Sequence, residues 1–373
     1  MIDSMTAQPR IRLRIPFSEL WSMRIEHPYS LLVRADGLAW TCGQCPLAPD
    51  GSVLAPDDLV QQAEHVEKYI ERLLDMAGLS RSSVGKLVLY HGPAEPARTE
   101  RMLRRFQTAF PGAVLVPVGT PFFYYPGMCL EADVHAAERR SPITHSSGFQ
   151  GLRIESVDAG ELIWVSLKVL AEPTRTLSAP TADMVRDALR SAIGVSADAL
   201  LADHWFVGAH GAGPALEPLR EAGLVTDPGA AVGVTLFGGI VALGELTFAR
   251  ERVAPSSHAM SSHSRTCVFA RRSHDHFWIA ARSVSPDHSL VEQTREIMAS
   301  IAETMSAQGW SFDAVCKATT HYVGSSTADD LHDNMKVRNA YYRSPGPAST
   351  GLPVSAFPFS SSKIAVDVLG VIA

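Results

Sequence analysis

The sequence predicts an α/β protein (α+β in its element order) built from three copies of one unit, each a mixed sheet with two helices on one face. Three landmarks recur in the same order along the 373 residues. They are a strand with a tryptophan, an amphipathic helix that ends at a glycine, and a last strand with one acid among apolar residues. The helix-ending glycines, Gly78, Gly194 and Gly309, are evenly spaced. Such repetition indicates a repeat architecture, here an intrachain pseudo-trimer.

The composition is that of a globular chain with a sizeable core. Hydrophobic residues make up 46% and charged residues 19%, and the formal net charge is -6. This acidity excludes a protein that coats nucleic acid, because such a protein needs a basic face. No apolar run is long enough to span a membrane, and the N-terminal residues lack the apolar core of a secretory signal. We therefore expect a cytoplasmic protein with neither nucleic acid nor membrane as a partner.

Each unit begins with its tryptophan strand and continues into the first helix. The tryptophan strands are predicted at 38–41, 162–165 and 276–279. Apolar residues at helical spacing predict the first helix from Leu59 to Ala77, and equivalent stripes follow the other two strands. Thr181 is a suitable N-cap for the second of these helices. All three helices stop at the glycines named above, as a left-handed C-terminal cap requires.

A second strand, a second helix and two further strands complete each unit. The second strands are predicted at 86–91, 204–207 and 318–323, and the second helices at 98–110, 216–222 and 328–342. The last strands hold Glu131, Glu245 and Asp367. This order places both helices on one sheet face, so the bare faces must cover one another. We expect three sheets packed face to face.

Two segments rich in Ser and His, 137–150 and 253–266, indicate linkers between the units. The units then span 1–140, 150–250 and 265–373, with the middle unit shortened and the third favoured as the active one. Because the trimer lies within one chain, we expect a monomer or a weak dimer.

Neither the cysteines nor the histidines match a metal motif. Cys42 and Cys45 form a C-x-x-C pair, but zinc needs two further ligands at matching spacing, so two small buried side chains at a strand end are the favoured interpretation. Five histidines cluster around the second linker, and solvated loop residues are favoured there: His258, His263, His274, His276 and His288. We expect no metal and no cofactor.

The segment from Thr41 to Pro46, TCGQCP, resembles the strand ending of the RidA/YjgF reactive-intermediate deaminase superfamily, whose members carry Ser-Gly-Gln-x-Pro there. The segment 315–342, a strand, a polar turn and a helix ending in Tyr-Tyr, also resembles that family. The resemblance implies small α/β units that assemble as trimers, with ligand pockets at the interfaces between units.

A single chain with three such units is similar to the chorismatases, which cut the enolpyruvyl ether of chorismate. The segments 278–284 and 366–368 are similar to chorismatase segments near the active pocket. This similarity implies a lyase or hydrolase in secondary metabolism that acts on chorismate or a related small carboxylated ring compound. The alternatives are an imine or enamine deaminase-type hydrolase with Glu131 as the acid, and a non-catalytic ligand-binding pseudo-trimer.

The candidate catalytic residues are the acids of the last strands and one histidine. Asp367 lies in an apolar strand, where desolvation raises a carboxyl pKa and suits a proton donor. Glu131 has the same setting, and Tyr124 and Tyr125 could line a pocket beside it. His321 is the candidate general base. Glu245 is interpreted as structural.

The candidate substrate-binding residues are chosen for a carboxylate. A carboxylate is held best by the fork of an arginine, which makes Arg282, Arg338 and Arg343 candidates. The deaminases hold the substrate carboxylate with an arginine on the strand before the last one, and this chain has none there. Further candidates offer hydroxyls or exposed backbone N–H groups: Tyr322, Ser349, Thr350 and Gly351.

Overall fold

The computed structural model describes residues 12–146, 151–171, 180–208, 213–226, 231–260, 265–325, 327–357 and 361–372. His263 lies outside the described residues, and so does the side chain of His258. Among the described helices, none has the length and apolar character needed to cross a lipid bilayer.

Within the described residues, eighteen strands and six α-helices fall into three units with the same order of elements. The first unit contains β1 Leu13–Pro16, β2 Ser30–Ala35, β3 Leu38–Thr41, α1 Leu59–Met76, β4 Val84–His91, α2 Pro96–Ala109, β5 Val114–Gly119 and β6 Leu130–Ala137. The second contains β7 Thr144–Ser146, β8 Leu152–Asp158, β9 Leu162–Leu170, α3 Ala182–Ile193, β10 Leu200–Gly208, α4 Gly213–Glu221, β11 Ala231–Val234 and β12 Ile240–Ala249. The third contains β13 Ala254–Met260, β14 Thr266–Ser273, β15 His276–Ser283, α5 Leu290–Ala307, β16 Val315–Tyr322, α6 Ala328–Asn339, β17 Ala348–Pro353 and β18 Ile364–Val371.

The first helix of each unit forms for the reasons that the sequence indicates. Asp58 caps α1 by accepting the backbone N–H groups of Val60 and Gln61, and the apolar stripe of the helix is buried. Ser289 and Glu292 form a capping box at the start of α5. The glycine after each helix has a positive φ, which only glycine adopts without strain. The φ angles are 67° at Gly78, 71° at Gly194 and 69° at Gly309.

The strand order within each unit is also the same. The last strand lies between the tryptophan strand and the second strand, as in β3-β6-β4-β5, β9-β12-β10-β11 and β15-β18-β16-β17. The first and third units share one sheet through a parallel pair between Ala348 and Ser30. Two backbone bridges, Gly119 to Thr235 and Gly233 to Ala356, connect the second unit to its neighbours. The predicted fold class is confirmed.

The three units meet around buried tryptophans. Trp40, Trp164 and Trp278 occupy the same position in β3, β9 and β15, and none is more than 1% exposed. Cys42 and Cys45 follow β3 as free, buried thiols. The linker interpretation needs a correction, since 137–150 contains β7 and 253–266 contains β13. These short strands pair with β8 and β14 and so extend the sheets of their units.

The register of the strands corrects the predicted equivalence of the acids. Each second strand begins with a β-bulge. After the bulge, its residues pair one to one with residues of the last strand. Counted from the bulge, Val88 lies opposite Asp133, His204 opposite Glu245 and Thr319 opposite Asp367. Asp133 is therefore the true counterpart of the other two acids. Glu131 lies one pleat earlier, where the other units have Leu243 and Ala365.

Candidate active site

A cleft between the first and third units brings several of the candidate residues together. It lies beside the Ala348–Ser30 junction of the shared sheet. The first unit contributes Tyr29, Gly43, Tyr124 and Glu131, and the third unit contributes Arg338, Ser349 and Gly351. Apolar side chains close the rest of the wall: Phe17, Trp21, Met23, Leu331 and Met335. The open volume is about 20 Å³, which is room for water-sized groups, so the side chains around it pack closely.

The backbone of the segment after β3 positions Glu131. Gln44 exchanges two backbone hydrogen bonds with Ala132, at 2.8 and 3.1 Å, and this bridge holds Gly43 against the strand β6. A Cβ atom at Gly43 would lie 1.6 Å from Oε1 of Glu131. The glycine is therefore required, because any side chain at this position would displace the carboxyl group.

The environment of Glu131 favours its protonated form. The side chain is 2% exposed, and the hydroxyl of Tyr124 donates a hydrogen bond to Oε2 at 2.7 Å. Burial and the nearby charge of Asp133 raise the pKa of Glu131 to about 8, although the Tyr124 hydrogen bond and Lys317 oppose this rise. Glu131 therefore carries a proton at neutral pH and can donate it.

Arg338 brings a guanidinium group into the same cleft from α6. Its side chain is 2% exposed, and Asn334, one helical turn earlier, accepts its Nε–H and Nη2–H at 3.0 and 2.8 Å. Nη1 is buried and has no hydrogen-bond partner among the described residues. Gly351 lies beside this group, since a Cβ atom there would be at an ordinary contact distance of 3.6 Å from Nη2. A buried guanidinium that is held in place by Asn334 and keeps Nη1–H available as a donor can bind a carboxylate ligand.

Tyr125, Tyr322 and Arg343 lie in three different environments. The Tyr125 hydroxyl accepts a hydrogen bond from the backbone N–H of Arg24 at 3.1 Å, and this bond stabilises the first unit. Tyr322 is fully buried, and burial together with the charge of Glu131 raises the pKa of its hydroxyl. Arg343 was expected to hold a carboxylate, and this is corrected: its side chain is 88% exposed and approaches only Asp313, at 3.8 Å.

Asp367, Arg282, His321 and Thr350 lie elsewhere, around the axis that relates the three units. Asp367 makes ion pairs with Arg282 at 3.3 Å and with His204 at 3.4 Å. Burial raises its pKa, but these two cations outweigh burial and hold the pKa below its usual value. Asp367 is therefore ionised, which corrects its assignment as a proton donor.

His321 and Thr350 belong to the same axial region. Burial and the charge of His204 lower the pKa of His321 to about 3, so its ring is neutral, and it packs edge-on against Phe206. Thr350 hydrogen-bonds Asp133 and the ammonium of Lys317. Thr350 therefore positions axial charges, whereas its neighbours Ser349 and Gly351 face the cleft.

Several residues that matter here gave little signal in the sequence. Asp133 was overlooked beside Glu131, although its two-residue spacing puts both acids on one strand face. Glu245, interpreted as structural, pairs with two residues that are distant in the sequence, Lys86 at 2.6 Å and His204 at 3.2 Å. Asn334 could have been found from its spacing of four residues before Arg338 on one helix face.

One group in the described part of the chain has metal-ligand spacing. Asp36 and Glu161 come from the β2–β3 and β8–β9 turns, and His276 is the first residue of β15, so each unit contributes one residue, with ligand atoms within 4.8 Å of one another. His276 was expected among solvated loop residues, and this is corrected because its side chain is 2% exposed. Among the described residues, no such group lines the cleft around Glu131.

The comparisons with known proteins agree with the architecture. Residues 22–137 match the family model of Endoribonuclease L-PSP, so the resemblance of the first unit to the RidA/YjgF superfamily is confirmed. No curated protein sequence matches the chain.

Three solved structures are similar to parts of the chain. A putative endoribonuclease L-PSP from Entamoeba histolytica is 17% identical, with a TM-score of 0.29 over 34% of this chain and 99% of that one. A Rid-family protein from Yersinia pestis is 21% identical, with a TM-score of 0.30 over 34% and 99%. A chorismatase is 11% identical, with a TM-score of 0.48 over 78% of this chain and 93% of that one.

Proposed function

We propose that the chain hydrolyses a small carboxylic acid bearing an imine or enamine, in the cleft between the first and third units. The observation that carries this proposal is the pairing of a protonated carboxyl, Glu131, with the open Nη1 of Arg338 in one buried cleft. The cleft is tightly packed, so the substrate is small and the lining side chains move to admit it.

The proposed reaction uses these residues in two roles. Arg338 binds the substrate carboxylate through its open donor, replacing the strand arginine that the chain lacks. Glu131 donates its proton to the enamine carbon, or to the imine nitrogen, and this gives an iminium ion. Water adds to the iminium carbon as the Glu131 carboxylate takes up a proton from it. Glu131 then donates this proton to the amine nitrogen of the carbinolamine. The C–N bond breaks as the hydroxyl oxygen forms the carbonyl and returns its proton to Glu131, and the products are a keto acid and ammonia.

Only one of the three interfaces carries this acid. The positions equivalent to Glu131 are Leu243 in the second unit and Ala365 in the third. Neither side chain can exchange a proton. The proposal therefore assigns one site to each chain.

Chorismate cleavage with Asp367 as the acid has less support. Asp367 is held ionised by Arg282 and His204. A proton donor needs a carboxyl that is protonated at working pH, and Glu131 meets that condition.

The test is ammonia release from 2-aminoacrylate, generated in the assay, by the full chain and by matched variants. Glu131→Gln and Arg338→Met should each lower the rate at least about 100-fold. Glu138→Gln and Arg343→Met, which change exposed residues of the same types, should leave it unchanged. Pyruvate release from chorismate without ammonia release from the imine would overturn the proposal. Thermal shifts by keto acids without any turnover would favour a binding protein.

A further inference from the structure

The hydroxyl of Tyr124 has a second partner besides Glu131. Its oxygen lies 2.7 Å from Oε2 of Glu131 and 3.4 Å from Sγ of Cys45. The three side chains are buried, and none is more than 4% exposed. They come from separate segments, because Cys45 follows β3, Tyr124 lies between β5 and β6, and Glu131 is in β6. Three segments of the first unit thus bring one chain of polar atoms together behind the cleft.

The direction of these hydrogen bonds follows from the number of protons. A tyrosine hydroxyl has one proton, and Tyr124 donates it to Glu131. The contact with Cys45 then needs its donor on the sulfur, and a thiol S–H is a weak donor. The Cys45 thiol also lies 3.5 Å from the carbonyl oxygen of Gly43, an acceptor that it shares with the Cys42 thiol at the same distance.

The two oxygens of Glu131 have different surroundings. Oε2 accepts the Tyr124 hydroxyl, whereas Oε1 lies against the backbone of Gly43, a residue that lines the cleft. A protonated carboxyl carries its proton on one oxygen only. While Tyr124 donates to Oε2, that proton belongs on Oε1. If the Tyr124 hydroxyl turned its proton to the sulfur instead, Oε2 would need the carboxyl proton to keep the 2.7 Å hydrogen bond, and Oε1 would carry none.

We propose that Cys45 is a positioning residue whose thiol donates to the Tyr124 oxygen, so that Tyr124 donates to Oε2 and the proton of Glu131 stays on Oε1. The hydrogen-bond chain is independent of the reaction, but the use of the Oε1 proton in catalysis rests on the proposed function. Four further titratable groups lie near Glu131 and are unchanged in the Cys45 variants described below: Asp133, Lys317, Tyr322 and Cys42.

Infrared spectroscopy of the resting full chain tests the direction of the thiol hydrogen bond. The S–H stretch absorbs where few other protein vibrations do, and its frequency falls when the thiol donates a hydrogen bond. The band that is lost in both Cys45→Ala and Cys45→Ser belongs to Cys45. In Tyr124→Phe, which removes the acceptor, this band should move to higher frequency, whereas the Cys42 band should stay. An unmoved Cys45 band would show that the thiol donates to the Gly43 carbonyl, and it would overturn the proposal.

The titration of Glu131 tests the effect of the chain on the carboxyl group. The carbonyl band of the protonated acid, identified by its loss in Glu131→Gln, can be followed against pH without substrate. Cys45→Ser supplies a stronger donor, which strengthens the Tyr124 bond to the ionised carboxyl, so the band should disappear at lower pH than in the wild type. Cys45→Ala should titrate at higher pH. Each shift should be roughly a few tenths of a pH unit.

The matched control is Cys42→Ala, which removes a buried thiol that bonds the Gly43 carbonyl, and it should titrate like the wild type. The alkaline limb of ammonia release should follow the same order, with Cys45→Ser lowest and Cys45→Ala highest. Identical titrations of Cys45→Ala and the wild type, or the reverse order, would overturn the proposal. The predicted order of titrations without any ammonia release would support the hydrogen-bond chain and refute the proposed function.

Discussion

Replacing Tyr124 with phenylalanine should move the pH at which activity is lost. The Tyr124 hydroxyl donates to Oε2 of Glu131 at 2.7 Å, and this bond stabilises the ionised carboxyl. It therefore holds the pKa of Glu131, about 8, lower than burial alone would. A hydrogen bond to a charged group contributes about 1.5–3 kcal/mol, and one pKa unit corresponds to about 1.4 kcal/mol. Removing the bond should raise the pKa of Glu131 by about one unit or more.

The sign of the effect on activity follows from the role of Glu131 as an acid. A general acid works while it is protonated, so activity falls as pH rises through the pKa. In Tyr124→Phe the alkaline limb of the pH–rate profile of ammonia release should move to higher pH by about one unit.

Tyr125→Phe is the matched control, because the Tyr125 hydroxyl bonds the backbone of Arg24 and not Glu131. Its alkaline limb should stay at the wild-type position. If the limb of Tyr124→Phe stays in place or moves to lower pH, then Glu131 is not the group that titrates.

Three further substitutions test other parts of the site. Gly43→Ala should abolish activity while leaving the fold intact, because the new methyl group would displace the Glu131 carboxyl; a fully active variant, with circular dichroism unchanged, would refute the steric argument. Asn334→Ala should raise KM at least about tenfold with a smaller change in kcat, since it frees the guanidinium of Arg338, and an unchanged KM would contradict this role. Lys317→Met should lower the free energy of unfolding by about 3–5 kcal/mol in urea titrations, because it removes the 2.8 Å ion pair of the buried Asp133; a loss below about 1 kcal/mol would contradict the importance of this pair.

The pKa of Glu131 also predicts a trade-off between stability and function. Its folded-state pKa, about 8, lies above the ordinary glutamate value of 4.5. The folded state therefore binds the proton more tightly, and stability from this group falls as pH rises between those two values. Glu131→Gln should remove this fall and be more stable than the wild type by a few kcal/mol near pH 8. Equal slopes of stability against pH in both proteins would contradict the raised pKa.

The repeated fold could be predicted because its signals are local. Tryptophan strands, apolar stripes and helix-ending glycines each depend on a few neighbouring residues, and the structure has them where the sequence places them. The strands β7 and β13 could not be predicted, because they are rich in polar residues and lie at sheet edges, where each pairs with only one neighbouring strand. The second helices also end one to three residues away from the predicted limits.

The site was harder to predict from the sequence, because the side chains that interact there come from different units. Asp367 looked like a desolvated acid, but His204, far away in the sequence, supplies a charge that keeps it ionised. Glu131 and Asp133 differ by one pleat, and only the strand register shows which of them faces the axis. Arg338 was one of three candidate arginines, and only its packing against the first unit, which buries it, distinguishes it from the exposed Arg343.

The most direct test of the central claim is a crystal structure of the chain with pyruvate, a keto acid that resembles the proposed product. The account predicts that the carboxylate binds Nη1 of Arg338 and that the carbonyl lies within hydrogen-bond distance of Glu131. A ligand bound at Asp367, or at either interface of the second unit with the Glu131 cleft closed, would contradict it.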